Sequence, residues 1–368
     1  MTEIPAFASR TREAAGEDRL HRELVFIAPG RLDQLTGGYL FDRHIVEGLR
    51  ARDRVVRVVE LAARDPRGEE AVLAAVADGT PTVVDGLVLA NLGEVVVAHA
   101  RRLRLIALVH GPLAHETGLS PAAAKRAAQR EAALLLRLRG VLCASRKTAA
   151  TIARYGVSPD RIAIAPPGTA KPHEPPRPRR GPVRALLCVA NLVPLKGHSV
   201  LVAALAQLCD LEWTLLCIGS LERDPATAEA VRQTIAAAGL ERRITLAGER
   251  APAAVAAAYG AADAFVLPSF HEGYGMVYAE AMANGLPVIA TIAGAIPETV
   301  PPSAGLLVPP GDPAALAQAV RRVIADPRLA TRLAAGSREA GARLPDWPRA
   351  IADWEAAFDR LVTLPPPS

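Results

Sequence analysis

Two carboxylates eight positions apart, Glu272 and Glu280, bracket a Gly273-Tyr274-Gly275-Met276 turn in the segment SFHEGYGMVYAEAMANGLPVIAT. The two glycines let the chain turn sharply and expose backbone amides just where a helix starts, near Met276, which predicts an anion site at a helix N-terminus. The helix should stop at Asn284-Gly285, with Pro287 preventing continuation. A carboxylate on either side of such a start offers acceptors for sugar hydroxyls beside a positive end for a diphosphate, the combination a sugar nucleotide needs. A capped helix carrying a solvent-exposed Glu would explain the two carboxylates alone, but not the whole segment.

Other candidates sit where apolar runs end. NLVPLKGH follows ALLCVA and carries Asn191 and Lys196; His110 closes LRLIALVH; Gly37-Gly38 fall in LTGGYLFDRHI after LVFIAP; Gly219 ends WTLLCIG and Gly248 ends RITLAG. A lysine beside a turn can neutralise phosphate, and a histidine at a strand mouth can serve a bound substrate or simply support the loop. The dinucleotide fingerprint G-x-G-x-x-G is absent after either first strand, which disfavours a nicotinamide dehydrogenase. No Asp-x-Asp pair occurs and the His, Asp and Glu residues show no ligand spacing, so neither a metal nor another cofactor is expected.

The elements that must position these residues alternate in type. From Leu24 onward, β-branched and aliphatic runs (LVFIAP, RVVRVVEL, PTVVDGLVLA, LRLIALVHG, VLCAS, RIAIAPPG) alternate with Ala-rich helical stretches, the pattern of a parallel α/β sheet. Ser120-Pro121, Asp224-Pro225, Asp312-Pro313 and Asp326-Pro327 read as helix starts. The Pro-rich stretch Lys171 to Pro182 reads as a connector, after which the rhythm restarts. The expected architecture is therefore two Rossmann-like domains facing a central cleft. Trp347, Ile351, Trp354, Phe358 and Leu361 recur at helical spacing near the end of the chain and read as core packing.

Length and composition bound the rest. A chain of 368 residues exceeds what one core organises, and 50% hydrophobic with 22% charged residues excludes a disordered chain. Lys plus Arg (43) exceeds Asp plus Glu (38), but the charges are interspersed and aromatics are only 4%, which favours anionic small molecules over nucleic acid. No apolar run spans a bilayer, and the charged first two dozen residues lack the apolar stretch of a secretory leader, so a cytoplasmic location is expected. Cys143, Cys188, Cys209 and Cys217 show no C-x-x-C spacing and suit a reducing compartment.

In HEGYGMVYAEAMANGLPVIAT, VANLVPLKGH and GLLVPPGDPAALAQAV, over nearly its whole length, the sequence resembles the family 4 glycosyltransferases of the GT-B fold. The resemblance implies a retaining, nucleotide-sugar-dependent enzyme: an acceptor-side domain over 1–175, a nucleotide-sugar domain over 176–345 and a C-terminal helix over 346–368 returning to the first domain. It implies that Glu272 contacts the donor sugar and Glu280 the ribose hydroxyls, that Lys196 neutralises the diphosphate, and that His110 lies near the anomeric carbon. Gly37 and Gly38 would approach the donor, Gly273, Tyr274, Gly275 and Met276 would form the phosphate-binding turn, and backbone near Gly219 and Gly248 would hold the base. Asn191 stands where the family commonly has Arg, supplying hydrogen bonds without charge. His115 and Glu116 are weaker acceptor-side candidates, and His271 shapes its loop.

The implied reaction moves a glycosyl group from a UDP- or GDP-sugar to an acceptor hydroxyl, with Lys196, Asn191 and the helix start stabilising the departing diphosphate without metal. A GT-B-like phosphorylase, a sugar-nucleotide epimerase and a non-catalytic nucleotide-sugar-binding protein are the alternatives. The stretch Pro121 to Arg139 is basic, but it has no aromatic residue and crowds its leucines at one end, which favours a soluble small-molecule acceptor with at most weak peripheral membrane contact.

Overall fold

The computed structural model describes residues 23–61, 66–116, 118–172 and 181–367. The residues behind the leader expectation, and most of the Lys171 to Pro182 connector, lie outside that set. Six apolar runs form the first sheet: β1 (Glu23–Ala28), β2 (Val55–Glu60), β3 (Pro81–Asp85), β4 (Arg104–Val109), β5 (Gly140–Cys143) and β6 (Ile162–Ile164). Six more form the second: β7 (Ala185–Val189), β8 (Thr214–Ile218), β9 (Ile244–Leu246), β10 (Ala264–Val266), β11 (Val288–Thr291) and β12 (Gly305–Val308). Every described pairing is parallel, and the orders are β2-β1-β3-β4-β5-β6 and β12-β11-β10-β7-β8-β9. Both sheets thus reverse direction beside their first strand, between β1 and β3 and between β7 and β10. In open α/β sheets the carboxyl ends at such a reversal leave a crevice for ligand.

Helix starts follow local chemistry. Ser120, Asp224, Asp312 and Asp326 each accept a backbone N–H of the first turn, and each is followed by proline at the first helical position, where the missing N–H costs nothing. The PTVVDGLVLA run is corrected by the same effect. Asp85 Oδ1 accepts from Leu87 N at 2.7 Å, so the strand ends at Asp85 and Gly86–Leu92 is helix. The basic stretch is helical over Pro121–Leu135 only, and Leu134, Leu135 and Leu138 are buried against the first sheet's core.

The helix Trp347–Val362 lies on the first sheet, although it follows the second in sequence. Ile351, Trp354, Phe358, Leu361 and Val362 share one core with Phe26, Ile45, Ile106 and Leu142. Its polar flank is tied by Arg54, which pairs with Glu355 at 2.7 Å and Asp359 at 2.5 Å. Burying each large apolar side chain contributes about 2 kcal/mol, so this helix is held strongly to the first domain. No described helix is long and apolar enough to cross a membrane.

Candidate functional site

The second sheet presents its residues at the carboxyl ends of β7 and β10, at the reversal. After β7 the chain makes a short turn of helix over Pro194–Lys196, passes Gly197, and enters helix His198–Leu205. Phe270 N donates to Leu195 O at 2.8 Å, fixing the loop after β10 against this turn. Lys196 Nζ thereby reaches Glu272 Oε1 at 2.7 Å, and Ser269 Oγ donates to the same oxygen at 2.7 Å. The Glu272 main chain is held from behind by Ala295 N, which donates to Glu272 O at 2.8 Å. The pair keeps some solvent contact, with side chains 24% and 11% exposed.

Gly275 adopts φ 85°, a left-handed conformation that favours glycine, and starts the helix Met276–Ala283. One turn in, Glu280 accepts from Tyr259 Oη at 2.9 Å. Burial pushes the Glu280 carboxyl up to about 7, against the opposing pull of that hydrogen bond. Tyr274 is pushed up to about 12 by burial, and its carbonyl accepts from Thr299 Oγ1 at 2.7 Å. Asn191 serves the scaffold: its Oδ1 accepts from Ser220 N at 2.8 Å and ties the β7 turn to the β8 turn. Gly219 N in turn donates to Gly248 O at 3.1 Å, so Asn191, Gly219 and Gly248 form one run of turns along the sheet edge.

On the first sheet, His110 follows β4 and its Nε2 lies 3.0 Å from Asp42 Oδ1 and 3.1 Å from Asp85 Oδ2. Both aspartates are about 1% exposed. Burial would lower the His110 pKa, but Asp42 and Asp85 outweigh it and raise it to about 10, so the ring is an imidazolium at neutral pH. Burial beside Asp85 raises Asp42 to about 6 in spite of His110. The Phe41 ring meets His110 edge-on at 5.3 Å, and Gly38 packs flat against the imidazole, where a Cβ would lie 3.5 Å from Cδ2. Neither aspartate stood out in the sequence. Their available signal was an acid on the core-facing side of helix Gly37–Arg50, among Phe41, Ile45, Val46 and Leu49, and an acid closing the buried run of β3.

The two halves touch along this edge. A Cβ on Gly273 would lie 1.8 Å from His110 O, so only glycine lets the loop after β10 rest on the loop after β4. His115 stacks on His271 with centroids 4.1 Å apart, Arg223 donates to Gln34 at 2.9 Å, and Met276 packs into the first domain's core beside Gly37. His110, Lys196, Glu272, Gly273, Met276, Gly37 and Gly38 therefore share one cleft. Glu280 lies a turn deeper in the second domain, and the Asn191 run lies further along its sheet. Glu116, whose carboxyl is raised by burial, feels the charge of Lys196 from across the cleft.

Among the described residues, two groups of side chains have metal-ligand chemistry that their spacing in sequence does not show: Asp42, Asp85 and His110, and Cys188, His198 and Cys217. In the first, the imidazolium itself supplies the positive charge two buried carboxylates demand. In the second, the hydrogen bond with Cys217 and burial hold the Cys188 thiol well above its usual range, while burial, with Lys196, drops His198 to about 4. Cys188 Sγ lies 3.7 Å from His198 Nε2, and all three side chains are buried in the second domain.

Residues 23–170 match the family model described as Glycosyltransferase Family 4, and residues 183–326 match that described as glycosyl transferases group 1. The chain belongs to the family 4 glycosyltransferases. Among curated relatives of this family, it is 31% identical over 225 residues to the D-inositol 3-phosphate glycosyltransferase of Corynebacterium glutamicum, covering 56% of this chain and 54% of that protein. It is 29% identical over 211 residues to the MMP alpha-(1->4)-mannosyltransferase of Mycolicibacterium hassiacum, covering 56% and 50%. The chain thus spans about half the length of the curated relatives it matches. Its fold is GT-B, shared with the solved sucrose-phosphate synthase of Thermosynechococcus elongatus (TM-score 0.77, 24% identity, 90% of this chain and 97% of that one). It is shared also with Anabaena HepE, solved with UDP and glucose (TM-score 0.70, 19% identity, 89% and 96%).

Proposed function

We propose that this protein transfers a glycosyl group from a nucleoside diphosphate sugar to an acceptor hydroxyl with retention of configuration. The observation that carries this reading is the Lys196–Glu272 pair at the reversal crevice of the second sheet, opposite the His110 imidazolium. A diphosphate entering there competes with Glu272 for Lys196. Lys196 and the amides at the start of helix Met276–Ala283 take the phosphate charge, and the freed Glu272 carboxylate accepts hydroxyls of the sugar. Glu280, beside Tyr259, accepts from the ribose. As the bond from the anomeric carbon to the diphosphate oxygen breaks, the acceptor oxygen bonds that carbon on the same face, and its proton passes to the departing diphosphate. His110 stays charged throughout and donates from Nδ1 toward the sugar, while Asp42 and Asp85 hold its ring. That the chain acts on soluble acceptors in the cytoplasm belongs to the same proposal.

The test is release of UDP or GDP from a panel of nucleotide sugars, with binding measured by calorimetry. Lys196→Ala should weaken nucleoside diphosphate binding about tenfold or more, since hydrogen bonds to charged groups contribute about 1.5–3 kcal/mol. Glu272→Gln should instead tighten UDP or GDP, because the competing carboxylate is gone, while turnover of the intact donor drops. Equal affinities in wild type and Lys196→Ala would show that the diphosphate sits elsewhere. Donor affinity should also fall as pH drops below about 7, where Glu280 takes up a proton and loses hydroxyl-accepting capacity; a Glu280→Gln variant should not show that fall.

Turnover should survive excess EDTA, because protein cations supply the neutralisation. Complete loss with chelator and recovery on adding a divalent ion would contradict this.

A further inference from the structure

Beside the transfer site the cleft deepens into a pocket of about 240 Å³ between the two domains. Its first-domain wall is one face of helix Arg146–Arg154, where Lys147, Thr151 and Arg154 recur at the spacing of successive turns, with Thr148 alongside. His115 and the second domain's His271 close it, and Gly294, whose backbone abuts the Glu272 main chain, forms its floor. No carboxylate lines it. Arg154 is aimed by its own hydrogen bond to Thr151 Oγ1 at 3.1 Å, and neither Lys147 nor Arg154 forms an ion pair among the described residues. Of the acids around it, Glu272 is engaged by Lys196, and Glu131, behind the lining, accepts from Leu113 N at 3.1 Å and is raised to about 7 by burial.

We infer that this pocket binds a phosphate group of the acceptor, placing the acceptor's hydroxyl beside Glu272 and His110. The inference rests on the transferase reading and names the acceptor class that reading leaves open. Two cations held seven residues apart on one helix face, with two threonines between them, match the charge and acceptor oxygens of a phosphate ester; a guanidinium fork is suited to binding two of those oxygens at once. The two histidines register the same field. Burial first, then Lys147 and Arg154, holds His115 below its usual value; burial, His115 and nearby lysines drop His271 to about 4. A bound dianion would relieve that positive potential. The contact is specific to the closed cleft, because His115 and His271 come from opposite domains and meet only when these are apposed.

The experiment saturates the full-length protein with UDP, so that the diphosphate site is filled, and titrates glucose 6-phosphate, inorganic phosphate and glucose by calorimetry. Glucose 6-phosphate should bind, glucose should not bind detectably, and inorganic phosphate should compete. Lys147→Ala and Arg154→Ala should each weaken glucose 6-phosphate about tenfold, while the exposed, remote Arg332→Ala should bind it as wild type does. Glucose binding as well as its phosphate, or a Lys147→Ala/Arg154→Ala double variant binding the phosphate as wild type does, would overturn the proposal. Cosedimentation with anionic phospholipid vesicles separates the source of the phosphate. Pelleting that needs Lys147 and Arg154 and is blocked by inorganic phosphate supports the pocket and assigns it a lipid headgroup, whereas pelleting indifferent to both variants, without glucose 6-phosphate binding, overturns it. If UDP itself fails to bind but glucose 6-phosphate still needs Lys147 and Arg154, the donor reading fails and the phosphate pocket stands.

Discussion

Gly273→Ala lowers kcat/KM for glycosyl transfer about a hundredfold while each domain keeps its fold. The added Cβ would fall 1.8 Å from His110 O, and both the obstructing carbonyl and the next contact, the His110 carbonyl carbon at 2.8 Å, are backbone that no rotamer change can move. Relief requires the loops after β4 and β10 to part by more than about 1 Å, and a misplacement of that size is enough to cost about 10²-fold in rate. Nucleotide binding, which the proposed function assigns to Lys196, Glu280 and the start of helix Met276–Ala283, should change little. Steady-state kinetics with UDP titration in parallel would show the split. Wild-type turnover in Gly273→Ala would mean that the reaction does not occur with the two loops in contact.

His110→Ala should destabilise the first domain by about 3 kcal/mol or more and abolish most turnover. Removing the imidazolium leaves Asp42 and Asp85 buried without a counter-charge, and breaking a buried ion pair from one side costs about 3–5 kcal/mol. A second change, Asp42→Asn, should recover much of the melting temperature in the double variant but not the turnover, which separates the electrostatic support of the fold from the contact with the sugar that the proposed function gives His110. The pH dependence has a definite sign. The folded pKa of His110, about 10, lies above its usual 6.5, so the stability it contributes is fully present below about pH 6.5 and is lost as pH rises through about 10. Asp42, raised to about 6, adds a loss of stability as pH rises through about 6. Wild type should therefore melt progressively lower from pH 7 to 10. Because removing His110 also frees Asp42 to rise further, the control is His110→Ala/Asp42→Asn, which should lack this alkaline loss; a slope equal to wild type in that double variant would contradict the assignment of the high pKa to this histidine.

Local sequence determined a good deal. The inner strands, such as β3, β4, β10 and β11, lie in aliphatic runs because a strand buried on both faces needs apolar residues throughout, whereas the edge strand β2 is largely exposed or half-buried and carries Arg57 and Glu60. The starts at Ser120, Asp224, Asp312 and Asp326 follow from a side-chain oxygen reaching an amide two or three residues on, a contact that needs no tertiary partner. The turn through Gly273 and Gly275, with helix Met276–Ala283 following and Asn284-Gly285 ending it, was legible for the same reason. The apolar spacing of Trp347 to Leu361 showed that this helix buries a face. The run GLVLA has the composition of a strand but is helical, because its periodicity is ambiguous over five residues and the Asp85 cap outweighs β-propensity.

What tertiary structure alone decided is which of these local pieces meet. Glu272 and Lys196 are 76 residues apart and pair because β10 lies next to β7 in the sheet, an order that strand composition does not encode. Asp42 and Asp85 reach His110 because β1, β3 and β4 are adjacent, so three chain-distant groups share one buried volume whose low polarity then fixes their charges. Asn191 Oδ1 accepts from Ser220 N, a partner supplied by the next strand, so strand order decides that only its Nδ2 is left to donate toward a ligand. The basic pocket joins Lys147 and Arg154 to His271 only through the approach of Gly273 to His110. Side-chain type and local periodicity set what each segment can do by itself; strand order and domain apposition, which depend on the sum of many weak long-range contacts, set which charges face one another.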